Sequence, residues 1–165
     1  MSKTMDDLQA AFAGESQANR KYLAFAKKAD QEGYLQAAKL FRAAAEAETV
    51  HAHNHLRAMD GVGSTLDNLK EAVKGETYEY DSMYPPMLKG AEAEGNKRAA
   101  SSFKFALEVE KIHAALYKEA IDNLNKKEEV YDYYVCPVCG FTAPKYAPDK
   151  CPVCGAAGAK FIKVV

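Results

Sequence analysis

Two tetrapeptides, Glu48-Thr49-Val50-His51 and Glu110-Lys111-Ile112-His113, lie in stretches that otherwise have the pattern of buried helix stripes. The first stripe runs Ala37, Phe41, Ala44, Glu48, His51, His55, and the second runs Phe103, Leu107, Glu110, Ala114, Tyr117, Ile121. Residues three apart share a helix face, so each unit sets an acid and an imidazole where core side chains belong. Two more stripes carry the same flaw. Glu15 falls among Leu8, Ala11, Phe12, Ala18, Tyr22 and Phe25, and Glu76 falls among Leu69, Val73, Tyr80, Met83 and Met87, with Glu79 one turn beyond it. An unpaired buried carboxylate costs several kcal/mol, and Glu is rarely buried without a partner. Five carboxylates and two imidazoles at matching depth need multivalent cations to offset their repulsion.

The segment from Met5 to about Lys127 is rich in Ala, Leu, Glu, Lys and Gln, all strong helix formers. Breaks are expected at Gly33, at Asp60-Gly61-Val62-Gly63-Ser64 and at Gly95-Asn96, leaving four segments of about 25 to 30 residues. Pro85-Pro86 falls inside the third, where a kink or irregularity is expected. Four such helices make a bundle, and a Glu from each of two helices with Glu-x-x-His from each of the others is the ligand pattern of ferritin-like dimetal carboxylate proteins. Hard carboxylates with imidazole suit iron or manganese.

An internal repeat supports this pattern. Tyr22, Glu32-Gly33 and His51 recur 62 residues later as Tyr84, Glu94-Gly95 and His113, whereas Glu15 recurs after 61, at Glu76. One extra residue therefore lies between Glu76 and Tyr84, and a π-bulge is its simplest accommodation inside a helix. His53 is off the stripe and expected in solvent. His55 is expected to be a hydrogen-bonded core or supporting histidine, and Glu46, Glu92, Glu94 and Glu108 are expected on wet faces or helix ends.

All four cysteines, and four of the six prolines, lie between Cys136 and Cys154. Cys136-Pro137-Val138-Cys139-Gly140 and Cys151-Pro152-Val153-Cys154-Gly155 form two C-x-x-C knuckles, a tetrahedral four-sulfur signal that fits a zinc ribbon or a single-iron site. A module of about 35 residues buries little core, so metal binding should carry much of its folding energy. The chain is thus expected to divide into a helical domain, 1–130, and a thiolate domain, 131–165, with the boundary near 127 to 134.

The 165 residues carry a net charge of -1, which gives no reason to expect nucleic acid or an anionic membrane as partner. No apolar run approaches the roughly 18 to 20 residues of a membrane span. The opening Met1-Ser2-Lys3-Thr4-Met5 lacks a signal-peptide core, so a cytoplasmic address is expected, where thiols stay reduced rather than paired as disulfides.

With both sites in view, the chain resembles the rubrerythrins. The matching residues are Phe12-Ala13-Gly14-Glu15-Ser16-Gln17-Ala18, Glu48-x-x-His51, Gly75-Glu76-x-x-Glu79, Met83-Tyr84-Pro85, Glu110-x-x-His113 and the rubredoxin-like quartet Cys136, Cys139, Cys151 and Cys154. The resemblance implies a mainly α fold, a ferritin-like four-helix bundle followed by a small β-rich rubredoxin-like domain. It implies a non-haem diiron centre and one Fe(SCys)4 per chain. The implied activity is peroxidase: reduction of hydrogen peroxide to water in oxidative-stress defence, with electrons from an NAD(P)H-dependent reductase or redox carrier.

Carried over by position, Glu48 and Glu110 would bridge the irons, and Glu15, Glu76, Glu79 and His113 would be terminal ligands. Glu79 and His51 would be the pair between which one iron moves on changing redox state. Tyr22 and Tyr84 match family tyrosines that hydrogen-bond the site. Two other functions compete: an iron-oxidising or iron-handling protein, and an interaction module whose tail is a zinc ribbon.

One departure concerns connectivity. Single-chain ferritin-like bundles have a long crossover between their second and third helices, yet His51 and Glu76 are only 25 residues apart, mostly helical. The connection reaches about 17 to 26 Å, whereas a helix of that length spans about 38 Å. Either the bundle runs up-down-up-down, or two chains exchange helix pairs; the exchanged homodimer is the expectation, since exchange of identical elements is a route to dimers.

Overall fold

The computed structural model describes residues 2–126 and 130–165. The expected domain boundary falls partly on residues 127–129, outside the described residues. The elements are α1 (Lys3–Gln31), α2 (Leu35–Ala58), α3 (Thr65–Tyr78), a π-helical turn (Glu79–Met83), α4 (Tyr84–Ala93), α5 (Lys97–Asn123), and strands β1 (Tyr133–Val135), β2 (Thr142–Pro144) and β3 (Ile162–Val164). The chain forms two compact units, residues 1–63 and 64–165. Among the described residues, no helix is long and apolar enough to cross a membrane.

The first unit is the α1–α2 hairpin. Ser2 caps α1, its hydroxyl accepting from the Met5 amide at 3.3 Å. The helix stops where Gly33 takes φ +82°, so that Tyr34 N–H bonds to Ala29 C=O and Gly33 N–H to Asp30 C=O. This is a Schellman ending, which glycine enters without a Cβ penalty. The seam between the helices is built on buried alanines, Ala26, Ala29, Ala38, Ala45 and Ala52. Across it the buried Asn19 donates Nδ2–H to the Ala45 carbonyl at 2.7 Å and to Thr49 Oγ1 at 2.8 Å. Tyr22, Phe25 and Phe41 form an aromatic cluster with ring centroids 5.6 to 6.3 Å apart.

The second unit repeats this design. Ser64 caps α3 and Asn96 caps α5. Between α4 and α5, Gly95 at φ +69° makes the same Schellman pair, Asn96 to Ala91 and Gly95 to Glu92. The extra residue after Glu76 is absorbed in the π turn, and α4 opens on Tyr84 with Pro85 and Pro86 behind it. Prolines lack a donor and are tolerated in a first turn, where that donor is unused. The expected irregularity at this place is therefore the π turn, which lets the helix restart rather than break.

The three strands form one antiparallel sheet, ordered β2-β1-β3, with Val135 opposite both Thr142 and Ile162. Each knuckle closes on its own backbone: Gly140 N–H bonds to Cys136 C=O and Gly155 N–H to Cys151 C=O, both at 2.9 Å. Strand β2 packs against α5. Val109 of that helix, 2% exposed, lies under Gly140, where an added Cβ would stand 3.7 Å from its Cγ1.

Candidate metal centres

In the first unit α1 supplies Glu15 while α2 supplies Glu48 and His51. One ligand atom from each lies within 4.8 Å of the others. His51 Nδ1 is 2.9 Å from Glu48 Oε2, the i,i+3 relationship that the Glu-x-x-His spacing requires. In the second unit α3 supplies Glu76 while α5 supplies Glu110 and His113, again within 4.8 Å. His113 Nδ1 is 2.8 Å from Glu110 Oε2 and 3.7 Å from Glu76 Oε1. The internal repeat thus yields two triads of the same composition, each with two carboxylates and one imidazole.

Glu79, at the start of the π turn, is not one of the three mutually close donors of its triad. It does share their field. Glu76 is pushed up to about 7, first by burial, then by its hydrogen bond with Glu110 and by the Glu110 charge. Burial, and then the charge of Glu76, raises Glu79. Burial also raises Glu110, with Glu79 adding to the effect. The Tyr84 phenol is raised by burial and then by Glu79, Glu110 and Glu76. Burial and mutual repulsion both favour neutralising these carboxylates, and a cation is the alternative to a proton. The donor set fits a pair of hard transition-metal ions. Tyr22, the repeat partner of Tyr84, packs its ring on Phe25 and Phe41. His53 is exposed and His55 half-buried.

A pocket of about 430 Å³ adjoins the second triad, lined by Glu76 and His113 together with Leu69, Leu116, Tyr117, Ala120, Tyr133 and Thr142. Its apolar walls beside a carboxylate and an imidazole leave room for a small polar molecule.

The four cysteines form the other centre, with all four sulfurs within 4.8 Å of one another. Cys136 and Cys154 Sγ are 3.5 Å apart, as are Cys139 and Cys151. A tetrahedron with metal–sulfur bonds of about 2.3 Å has edges near 3.8 Å, so the cage is already close to size. Burial pushes the Cys139 and Cys154 thiols up. Burial acts the same way on Cys151, but hydrogen bonds from the Cys154 and Val153 amides and from neighbouring thiols outweigh it and bring Cys151 down to about 7.

Sequence reasoning missed one residue beside these centres. Thr142 Oγ1 lies 2.9 Å from His113 Nε2, although the two are 29 positions apart. No spacing rule links a helix residue to a strand of the cysteine module, so no sequence signal pointed to it.

Glutamate and histidine triads on long helices, followed by a tetrathiolate module, define a helical carboxylate-histidine dimetal protein with a thiolate metal centre on the same chain. The chain belongs to the rubrerythrin family. The rubrerythrin family model matches residues 6–121, and the rubrerythrin rubredoxin-like domain model matches residues 134–162. The chain is 38% identical over 155 residues to rubrerythrin-2 of Clostridium acetobutylicum, covering 84% of each chain. It is 34% identical over 155 residues to nigerythrin of Nitratidesulfovibrio vulgaris, covering 86% of this chain and 76% of the relative. The structure of fully reduced, all-ferrous nigerythrin matches with a TM-score of 0.60 and 32% identity, over 99% of this chain and 88% of that one.

The fold class is accordingly mainly α and ferritin-like, with a small rubredoxin-like sheet module at the C-terminal end. The carboxylate and histidine groups suit the family's non-haem diiron centre, and the cysteine quartet suits its Fe(SCys)4. The chain is an oxidoreductase of the oxidative-stress type.

Proposed function

We propose that the chain is a peroxidase that reduces hydrogen peroxide to water, taking electrons from an NAD(P)H-dependent reductase through the thiolate iron to the diiron centre. One observation carries this reading: two Glu/Glu/His triads and a tetrathiolate cage occur in a single polypeptide. A ferroxidase draws electrons from its iron substrate and needs no tethered one-electron relay. A peroxidase does need one, because each turnover consumes two electrons and two protons to turn one peroxide into two waters. When bound, the metal pair supplies both electrons at once, one from each ferrous ion.

The residues that would hold metal are Glu15, Glu48, His51, Glu76, Glu79, Glu110 and His113 at the diiron centre, and Cys136, Cys139, Cys151 and Cys154 in the tail. Glu48 and Glu110 would be the bridging carboxylates. Glu79 and His51 would be alternative donors to one metal position. This fits Glu79 standing apart from its triad on the π turn and His51 being 54% exposed. Tyr84, whose phenol is held protonated by burial and by the carboxylates around it, would donate a hydrogen bond to the site. Tyr22, its repeat partner, would do so from the first unit. The pocket beside Glu76 and His113 admits the peroxide.

The functional division is 1–130 for peroxide reduction and 131–165 for electron delivery. The active unit is a helix-swapped homodimer, each centre taking Glu15, Glu48 and His51 from one chain and the remaining ligands from its partner. The short connection supports the exchange: α2 ends at Ala58 and α3 starts at Thr65. Residues 59–64 reach roughly 20 Å when extended, against roughly 36 Å for the length of α2. The reducing cytoplasm keeps the thiolate ligands available.

Metal analysis tests the assignment. The account expects a red protein with a diiron complement in the helices and one further iron on the cysteines. Zinc in the tail and no iron in the helices would overturn it.

A further inference from the structure

We propose that Thr142 is a positioning residue for His113, fixing the imidazole tautomer that can bind metal and tying it to the state of the cysteine cage. The proposal rests on the diiron reading only for its metal readout.

The direction of each hydrogen bond follows from the donor inventory. Thr142 Oγ1 stands 3.1 Å from the Gly140 carbonyl, which can only accept, so the single hydroxyl proton points there. The hydroxyl oxygen is then the acceptor for His113 at 2.9 Å, and Nε2 carries the proton. In a neutral imidazole this leaves the Nδ1 lone pair to accept from the protonated Glu110 carboxyl, with Glu76 Oε1 beside it, at the position a metal ion would take in place of that proton. Without Thr142 the balance reverses. Glu110 Oε2, at 2.8 Å, would draw the proton onto Nδ1 and close the ligand position. Hydrogen bonds from the distal nitrogen of a ligand histidine fix its tautomer and ring orientation, and their loss typically costs about 10- to 100-fold in metal affinity.

The two halves differ here. His51 has the same contact with its own glutamate, yet among the described residues its Nε2 has no hydroxyl partner, and the ring is 54% exposed. His113 is 26% exposed and held at both nitrogens. Thr142 therefore makes His113 the fixed imidazole, leaving His51 free to move.

The tether also reaches the cage. Gly140 follows Cys139, bonds back to Cys136 and sits on Val109, one turn before His113 on α5. Thr142 is placed by its pairing with Val135 next to Cys136. A module that folds on binding metal thus brings Thr142 to His113 as it folds.

The test uses the full chain with zinc on the cysteines, with Thr142→Val removing the hydroxyl at nearly constant shape and Thr142→Ser restoring it. Nitrogen-15 NMR of the imidazoles reads the tautomer before iron is added, and competition with a ferrous chelator then reads helical-site affinity. The expected result is an Nε2–H tautomer for His113 in the wild type and the serine variant. In the valine variant the proton moves to Nδ1 and ferrous affinity falls about 10- to 100-fold. If valine disturbs β2 pairing, seen as loss of zinc, Thr142→Ala makes the same comparison. An unchanged tautomer with affinity within twofold of wild type overturns the proposal. Failure of the wild type to take iron in the helices overturns the diiron reading instead, while the tautomer still decides the role of Thr142.

Discussion

Glu76 Oε1 on α3 stands 3.7 Å from His113 Nδ1 on α5, joining across two helices what the Glu-x-x-His spacing joins along one. The triad therefore belongs to the packing of the helices and not to either helix alone. Its metal-free form has a cost set by charge, which makes it sensitive to pH.

Glu76 is raised from 4.5 to about 7 in the folded metal-free protein. Between these values the native state binds more protons than the unfolded one, so stability falls as pH rises from about 4.5 to about 7 and levels off above. Glu76→Gln should flatten this slope, leaving the smaller parts from Glu79 and Glu110, and raise the melting temperature of the metal-free protein at pH 8 by a few degrees. Ferrous ion should reverse the ranking, stabilising the wild type and not the variant. Thermal melts across pH, with and without iron, check both signs.

Helix exchange has a sharp genetic consequence. In a mixture of Glu48→Ala and Glu110→Ala chains, a swapped heterodimer carries one centre with both lesions and one with none. Random pairing after joint refolding should restore about a quarter of the centres. Unswapped chains restore none, because every centre keeps its own lesion. Iron uptake and peroxidase assays of the mixture distinguish the two.

The cysteine cage is predicted to load from Cys151, whose thiol is brought down to about 7 while Cys139 and Cys154 are pushed up. Thiolate ultraviolet absorbance of the metal-free chain should show one step near neutral pH, lost in Cys151→Ser. That variant should also fail to bind tail metal and leave residues 131–165 open to proteolysis, with helix content unchanged.

In the α1–α2 hairpin, Asn19 is buried and bonds both the Ala45 carbonyl and Thr49. Asn19→Ala should cost about 1 to 3 kcal/mol, measured by chemical denaturation.

The two triads are legible in sequence because their geometry is helical. A carboxylate on an apolar stripe is conspicuous, three residues fix a Glu–His pair, and a repeat that slips by one between Glu76 and Tyr84 locates a π turn. The cysteine cage was legible because two knuckles leave little freedom. Thr142 was not, because its contact with His113 depends on how the β2 strand seats on α5. The exposure of Phe25, at 47%, also departs from its place on an inward stripe. Periodicity names the apolar face of a helix and not the chain that covers it. The proposed exchange would make the partner supply that cover.

Stopped-flow oxidation of the fully reduced protein by hydrogen peroxide and by dioxygen, at matched concentrations, tests the peroxidase assignment most directly. The account predicts that peroxide oxidises the diiron centre much faster than dioxygen, and that the red colour of the oxidised thiolate iron returns afterwards as that iron gives up its electron to refill the site. Faster oxidation by dioxygen, or a tail that keeps its electron while the helical centre turns over, would contradict it.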